Sequence, residues 1–159
     1  MAIIFWVILI VFALTVLNGF FACSEIALIS IRKTRVQTLA KQGNRRAKII
    51  GQLQQNPENL FATIQIGISV ITITASAFAG SSIAGNLSAY LYSTNFSFLA
   101  QHSFAISFIA VVGLISYVNL IIGELVPKSL GFRYAETFAL FAAYPIWWLS
   151  KMSFWLIRL

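Results

Sequence analysis

Hydrophobic positions along the chain fall into long blocks separated by short polar ones, a pattern that fits a bilayer better than a soluble core. Residues 1–31 are apolar apart from a few positions, chiefly Asn18, Ser24 and Glu25, and they suffice to cross a hydrocarbon layer that takes about 20 residues. Residues 32–55 place Val36, Leu39, Ala40, Ile49, Ile50 and Leu53 at roughly helical spacing among basic side chains. Two short amphipathic helices are predicted there, with a turn at Gly43. Asn56-Pro57-Glu58 then supplies an N-cap, a proline at the first helical position and an acid in the first turn, the start of a second spanning helix. Its apolar part reaches Ala79. Gly80-Ser81-Ser82 and Gly85 predict a loosened outer extension of this helix, 57–92 in all, and Ser93-Thr94-Asn95 predicts an outer turn. A third span covers 98–126. The last apolar segment, 134–157, contains Pro145, Trp147-Trp148, Lys151 and Trp155. It reads as an interfacial belt helix kinked at Pro145, in preference to a fourth crossing.

Composition and charge sharpen this outline. The chain of 159 residues is 59% hydrophobic and 9% charged, against about 25% charged in soluble domains, and its mean hydropathy is +0.86. An all-α integral membrane protein follows. The net charge of +7 does not call for nucleic acid as a partner, because Arg32, Lys33, Arg35, Lys41, Arg45, Arg46 and Lys48 lie in one stretch. That clustering is the positive-inside signature of a cytoplasmic segment, which also favours anionic inner-leaflet lipid. The N-terminus then faces outward. It lacks the basic start and cleavage pattern of a signal peptide and is expected to stay as a span in the cell's inner (plasma) membrane. Cys23, the one cysteine, reads as a packing residue and excludes an intrachain disulfide. The end at Leu159, without a polar tail, reads as a domain of something longer. Asn86-Leu-Ser88 and Asn95-Phe-Ser97 match a glycosylation acceptor but are too short to weigh heavily.

Candidate chemistry concentrates in Ser116-Tyr-Val-Asn-Leu-Ile-Ile-Gly-Glu-Leu-Val-Pro-Lys128. Pro127 has no N–H for the carbonyl four residues back, which frees the Gly123 oxygen beside the Glu124 carboxylate. An ionisable group at membrane depth is costly and points to a functional site, most simply for a cation. The plainer alternative is a carboxylate that pairs with Lys128 and ends a helix. Ser24 and Glu25 carry the same two readings: an ion pathway, or a hydroxyl bonded one turn back beside a glutamate paired with a basic neighbour. Gln65, Ser69, Thr72 and Ser76, spaced by four, three and four, form one helical stripe that faces either a cavity or a packing partner. Asn119 is placed to support Glu124. His102 reads as an interfacial hydrogen-bonding residue, with no second histidine to complete a metal pair. The donors are all oxygens, the chemistry of Mg2+, Na+ or Ca2+ and not of zinc or copper. No aspartate, one histidine and no glycine-rich nucleotide motif argue against an enzyme, leaving a cation transporter or a scaffold.

Four ordered blocks carry a resemblance: Asn18-Gly-Phe-Phe-Ala-Cys-Ser-Glu-Ile-Ala-Leu28, Arg32-Lys-Thr-Arg35, Gln65-Ile-Gly67 and Gly123-Glu-Leu-Val-Pro-Lys128. Over nearly the whole chain they resemble the transmembrane domain of the CNNM/CorC family. The resemblance implies a homodimer with three transmembrane helices per subunit, an outside N-terminus, a cytoplasmic C-terminus, a juxtamembrane belt helix and Mg2+ transport, generally export. Na+ is the coupling ion that the family makes plausible, and cytosolic CBS domains are expected in a longer chain. The resemblance also implies an ion site of Ser24, Gly123 and Glu124 with the residue at position 72. Glu25, Gln65, Ser69, Ser76, Asn119, Pro127 and Lys128 line the pathway or support the site. Where the family pattern has asparagine on the second helix, this chain has Thr72, which offers a hydroxyl in place of an amide carbonyl. Hemolysin-like branches also depart there, and some export organic amines. The expected function is therefore Mg2+ export, with polyamine efflux or a non-transporting membrane anchor as alternatives.

Overall fold

A computed structural model describes residues 2–92 and 102–157, all of them in helices or in the turns between helices. In chain order these are α1 (Ala2–Ser30), α2 (Lys33–Lys41), α3 (Arg45–Leu53), α4 (Pro57–Tyr92), α5 (Ser103–Leu120), a π-helical turn (Ile121–Leu125), α6 (Val126–Arg133) and α7 (Ala135–Ile157). Among the described residues three stretches are long and apolar enough to cross a membrane: Phe5–Ser30, Pro57–Ala89 and Ser103–Arg133. The chain is an all-α, multi-pass membrane protein. Large apolar side chains such as Ile73, Ile109 and Leu114 point outward from these spans, as lipid-facing positions must.

The two short helices arise as their pattern requires. Gly43 takes a φ of +90°, a left-handed turn that a side chain resists. The Asn44 side-chain oxygen then accepts from the N–H groups of Arg46 and Ala47 at 3.0 and 3.2 Å and caps α3. The buried faces of α2 and α3, Val36, Ile50 and Leu53, pack with Leu28 and Ile31 of α1, Leu60 and Ile64 of α4, and Ala139, Ala143 and Ile146 of α7. That cluster is the apolar core. Gln54 closes its polar edge by donating to the carbonyls of Leu28 (2.8 Å) and Ile31 (3.3 Å), which lie where α1 ends and need partners. Phe20 of α1 meets Phe138 and Phe141 of α7 with ring centroids 6.0 Å apart. Arg35 donates from two nitrogens to Glu136 at 2.8–3.1 Å and ties α2 to the first turn of α7. This exposed pair holds the Glu136 carboxyl below the usual carboxylate range and raises the Arg35 guanidinium further.

One sequence expectation fails. Helix α4 does not loosen at Gly80–Gly85 but runs unbroken to Tyr92. Gly80 is pressed against α5, where an added Cβ would lie 2.8 Å from the Phe108 ring. Ser81 and Ser88 hydroxyls donate to carbonyls three residues back, at 3.1 and 2.8 Å, so the polar residues are satisfied within the helix. Helix α7 passes through Pro145 as one element. The Ser93-Thr94-Asn95 turn, the first residues of the 98–126 span and the Asn95 acceptor site lie outside the described residues.

Candidate cation site

The site begins with a backbone irregularity. Because Pro127 cannot donate, the helix widens over Ile121–Leu125, and the N–H of Val126 bonds the carbonyl of Ile121 five residues back. Single π turns of this kind gather at functional positions, because they turn polar groups out of the helical ladder. Here the Gly123 carbonyl turns toward α1, where the Asn18 amide donates to it at 3.1 Å. Close backbone approach permits this. A Cβ on Gly131 of α6 would lie 2.7 Å from the Cys23 carbonyl, so α1 and α6 touch main chain to main chain. Cys23 itself is buried at that contact.

Two layers of polar residues result. In the first, Lys128 reaches Glu124 one turn before it at 2.7 Å and Glu25 of α1 at 3.5 Å. Their side chains are 31%, 33% and 14% exposed, so the cluster is partly sheltered yet open to one side. Two carboxylates share one ammonium, a net charge of −1. Glu25 Oε2 is buried and lacks a hydrogen-bond donor even so. In the second layer, Asn119 of α5 donates to the Thr72 hydroxyl of α4 at 3.3 Å. Its own amide oxygen faces Gly123, 2.5 Å from where a Cβ would stand. Asn18 and Asn119 are both buried.

Of the residues singled out from sequence, the structure thus brings together Gly123, Glu124, Pro127, Lys128 and Glu25, and separately Thr72, Asn119 and Gly123. Asn119 bonds Thr72 and not Glu124, whose carboxylate accepts from Lys128 instead. The freed Gly123 carbonyl is held by Asn18. Ser24 is buried and donates to the Phe20 carbonyl one turn back at 2.6 Å, which leaves its oxygen lone pairs available. Along the α4 stripe Thr72 and Ser76 are half-buried, while Gln65 and Ser69 are exposed on the surface of the single chain. His102 precedes the first turn of α5, and its carbonyl accepts from Ile106. No cluster of three or more His, Cys, Asp or Glu side chains exists among the described residues, so the donor set is carboxylate, amide and hydroxyl oxygen. Asn18 is the residue that sequence reasoning missed. A signal was there: it precedes Glu25 by seven residues, two helical turns, and so shares its face.

A family model described as the cyclin M transmembrane N-terminal domain matches residues 8–159. The chain belongs to the CNNM family. Among similar proteins, the UPF0053 protein sll0260 of Synechocystis is 41% identical over 129 residues, covering 81% of this chain and 28% of that protein. The UPF0053 protein YhdP of Bacillus subtilis is 28% identical over 154 residues, covering 95% and 34%. The polyamine export protein of Escherichia coli is 36% identical over 66 residues, covering 42% and 15%. This CNNM domain thus spans about a third of the length of the first two relatives.

Proposed function

We propose that this CNNM domain is the membrane part of a cation exporter, with one oxygen-lined site per subunit of a homodimer and Mg2+ as its cargo. The observation that carries the reading is the Glu124–Lys128–Glu25 cluster, two carboxylates on two different membrane spans that already hold a cation, the chain's own ammonium. Such a cluster costs too much in a bilayer to be idle. An arriving Mg2+ would displace Lys128 from Glu124 and gather oxygens from Glu124, the second lone pair of the Gly123 carbonyl, Ser24 and Thr72. Mg2+ tolerates few direct protein ligands and keeps water, so a site with one near and one more distant acid suits it. Asn18, by tethering the Gly123 carbonyl, sets where the π turn presents Glu124. Transport requires the site to open alternately to the two sides, with Gln65, Ser69 and Ser76 along the route. The exposure of Gln65 and Ser69 on a single chain favours a second copy or a water path against α4, since lipid would leave them unmet. The basic stretch of α2 and α3 favours the cytoplasmic face of the inner membrane for these helices, against anionic lipid, and with it an outside N-terminus. Na+ exchange and control by cytosolic CBS domains of a longer chain complete this reading.

A second reading is favoured by a specific observation: the ligand held between Glu124 and Glu25 is an alkylammonium, that of Lys128. A polyamine terminus would make the same contacts, and a relative of part of the chain is named for polyamine export. Calorimetric titration of the purified chain with Mg2+ and with spermidine, wild type beside Glu124→Gln, separates the two. Mg2+ binding that falls by at least about tenfold in the variant, a loss of ~1.4 kcal/mol, supports the first reading. Heat from spermidine alone supports the second. Binding of either ligand that is indifferent to Glu124→Gln removes Glu124 from the site, and absence of both leaves the membrane anchor.

A further inference from the structure

Helices α1, α6 and α7 leave an apolar groove of about 630 Å3 between them, within the roughly 300–1,000 Å3 of small-molecule sites. It arises where α1 and α6 meet. Gly19 has no side chain, and a Cβ there would lie 3.0 Å from the Pro127 ring, so the helices touch at the floor of the groove. Val16 and Phe20 of α1 and Val126 and Leu130 of α6 wall it. Phe138 of α7 adds the third wall, its ring centroid 6.0 Å from that of Phe20. The α1 and α6 walls lie within the spans Phe5–Ser30 and Ser103–Arg133, so the groove is at membrane depth. Where α6 ends the chemistry changes. Tyr134 and Thr137 are polar members of the lining, and the Arg133 guanidinium stands over the Tyr134 ring, 5.7 Å from its centroid. Among the described residues Arg133 has no ion-pair partner. Glu136, the acid nearest in sequence, is already held by Arg35 from two nitrogens.

We infer that this groove is a discrete lipid site, in which one acyl chain of an anionic phospholipid lies against α1, α6 and α7 while its phosphate meets Arg133. Apolarity alone selects nothing in a bilayer, because lipid tails are as apolar as leucine. The choice of lipid has to come from the head group. An arginine seated on an aromatic ring offers phosphate a fixed fork of charge-assisted hydrogen bonds, and tyrosine belongs at head-group level. The same end of the groove adjoins basic α2 through the Arg35–Glu136 pair, and basic segments gather anionic lipid beside them. A second copy suits the groove less well. It would bring four acids, of which Glu25, Glu124 and Glu136 are already in ion pairs. The exposed polar residues that call for a partner, Gln65 and Ser69, lie on α4, which contributes nothing to the groove. The acyl chain touches Ile122 in the π turn and Pro127 behind it. Arg133, Tyr134 and Thr137, which select the ligand, take no part in the cation site, so the lipid site does not depend on transport.

The test is native mass spectrometry of the full chain released from detergent, with phosphatidylglycerol or phosphatidylcholine of identical acyl chains added in steps. One phosphatidylglycerol per chain should be retained, at a half-saturating concentration at least about tenfold below that of phosphatidylcholine. Arg133→Gln should erase this preference. Arg46→Gln, the same loss of charge at an exposed position of α3, should leave it intact. Leu130→Trp, at an exposed wall position, should fill the groove and weaken retention of both lipids. If Leu130→Trp does not fold, the surface variant Arg133→Gln still decides. Glu124→Gln should keep phosphatidylglycerol while losing Mg2+ binding, so the lipid site and the cation site fail separately. Equal retention of the two lipids by the wild type, retention of neither, or an equal loss of preference in Arg46→Gln would overturn the inference. So would a Leu130→Trp variant that passes from two copies to one with lipid retention unchanged, which would give the groove to a second copy.

Discussion

Around Leu28, Ile50 and Ile146 the helices meet through apolar side chains that are fully buried, and the polar groups at the edge are matched, with Gln54 capping the end of α1. About three turns earlier along α1, at Asn18, the same helix meets the π turn through amides, and buried acceptors at Asn18 and Asn119 lack donors. The first region is what a fold does when it needs only to stay folded: close packing with no polar debt. The second keeps groups unmatched at a cost of about 1–3 kcal/mol each, in the part of the bundle where a proline has already broken the helical ladder. One helix therefore serves as packing element at its end and carries an unmatched amide oxygen at its middle.

Substitutions in the two regions should separate stability from binding. Ile50→Ala, at a fully buried core position, should cost about 2–5 kcal/mol, read from denaturant or thermal unfolding, while cation affinity per folded molecule stays unchanged. Gly131→Ala should cost about 1–3 kcal/mol, because its methyl meets the Cys23 carbonyl and drives α1 from α6. Unlike the core variant it should also weaken cation binding, since that contact sets the distance from Asn18 to the π turn. Lys128→Met removes the ammonium between Glu124 and Glu25 and should tighten Mg2+ binding by about tenfold, ~1.4 kcal/mol, as calorimetry would read, while the ion-free protein loses stability. A Lys128→Met variant that binds Mg2+ no better would mean that the lysine does not occupy the ion's place.

The smallest effect belongs to the exposed Arg35–Glu136 pair. The folded carboxyl is depressed, so its contribution is fully present above the ordinary carboxylate range and is lost as pH falls through the folded value. Hydrogen-exchange protection in α2, corrected for the intrinsic pH dependence of amide exchange, should fall on acidification through that window, and Glu136→Gln should abolish the dependence.

Much of the fold was legible in the sequence because a bilayer demands long apolar blocks. The helices α2 and α3 were legible because Val36, Ile50 and Leu53 repeat at helical spacing and Gly43 marks the turn. The extent of α4 to residue 92 was legible as well, but not its regularity. Glycine and serine read as loosening the helix, whereas Gly80 packs closely on Phe108, a contact between residues far apart in sequence. At the candidate site Pro127 predicted a freed carbonyl at Gly123, yet propensity says nothing of a five-residue π turn or of which side chain would take the carbonyl. Asn18 looked like an isolated polar residue in an apolar run. Its role depends on Gly131 letting two backbones touch, which no local pattern encodes. Pairing was ambiguous for a related reason: Lys128 could be matched to Glu124 by spacing alone, whereas its second partner, Glu25, comes from another helix.

Transport through the Glu124 level is tested most directly by reconstituting the chain in liposomes with a Mg2+-sensitive dye and comparing initial flux for wild type and Glu124→Gln. Wild-type flux that falls by at least about tenfold in the variant, with thermal unfolding of the variant unchanged, is the expected result. Equal flux through both proteins, or none through a folded wild type, would contradict cation passage at Glu124.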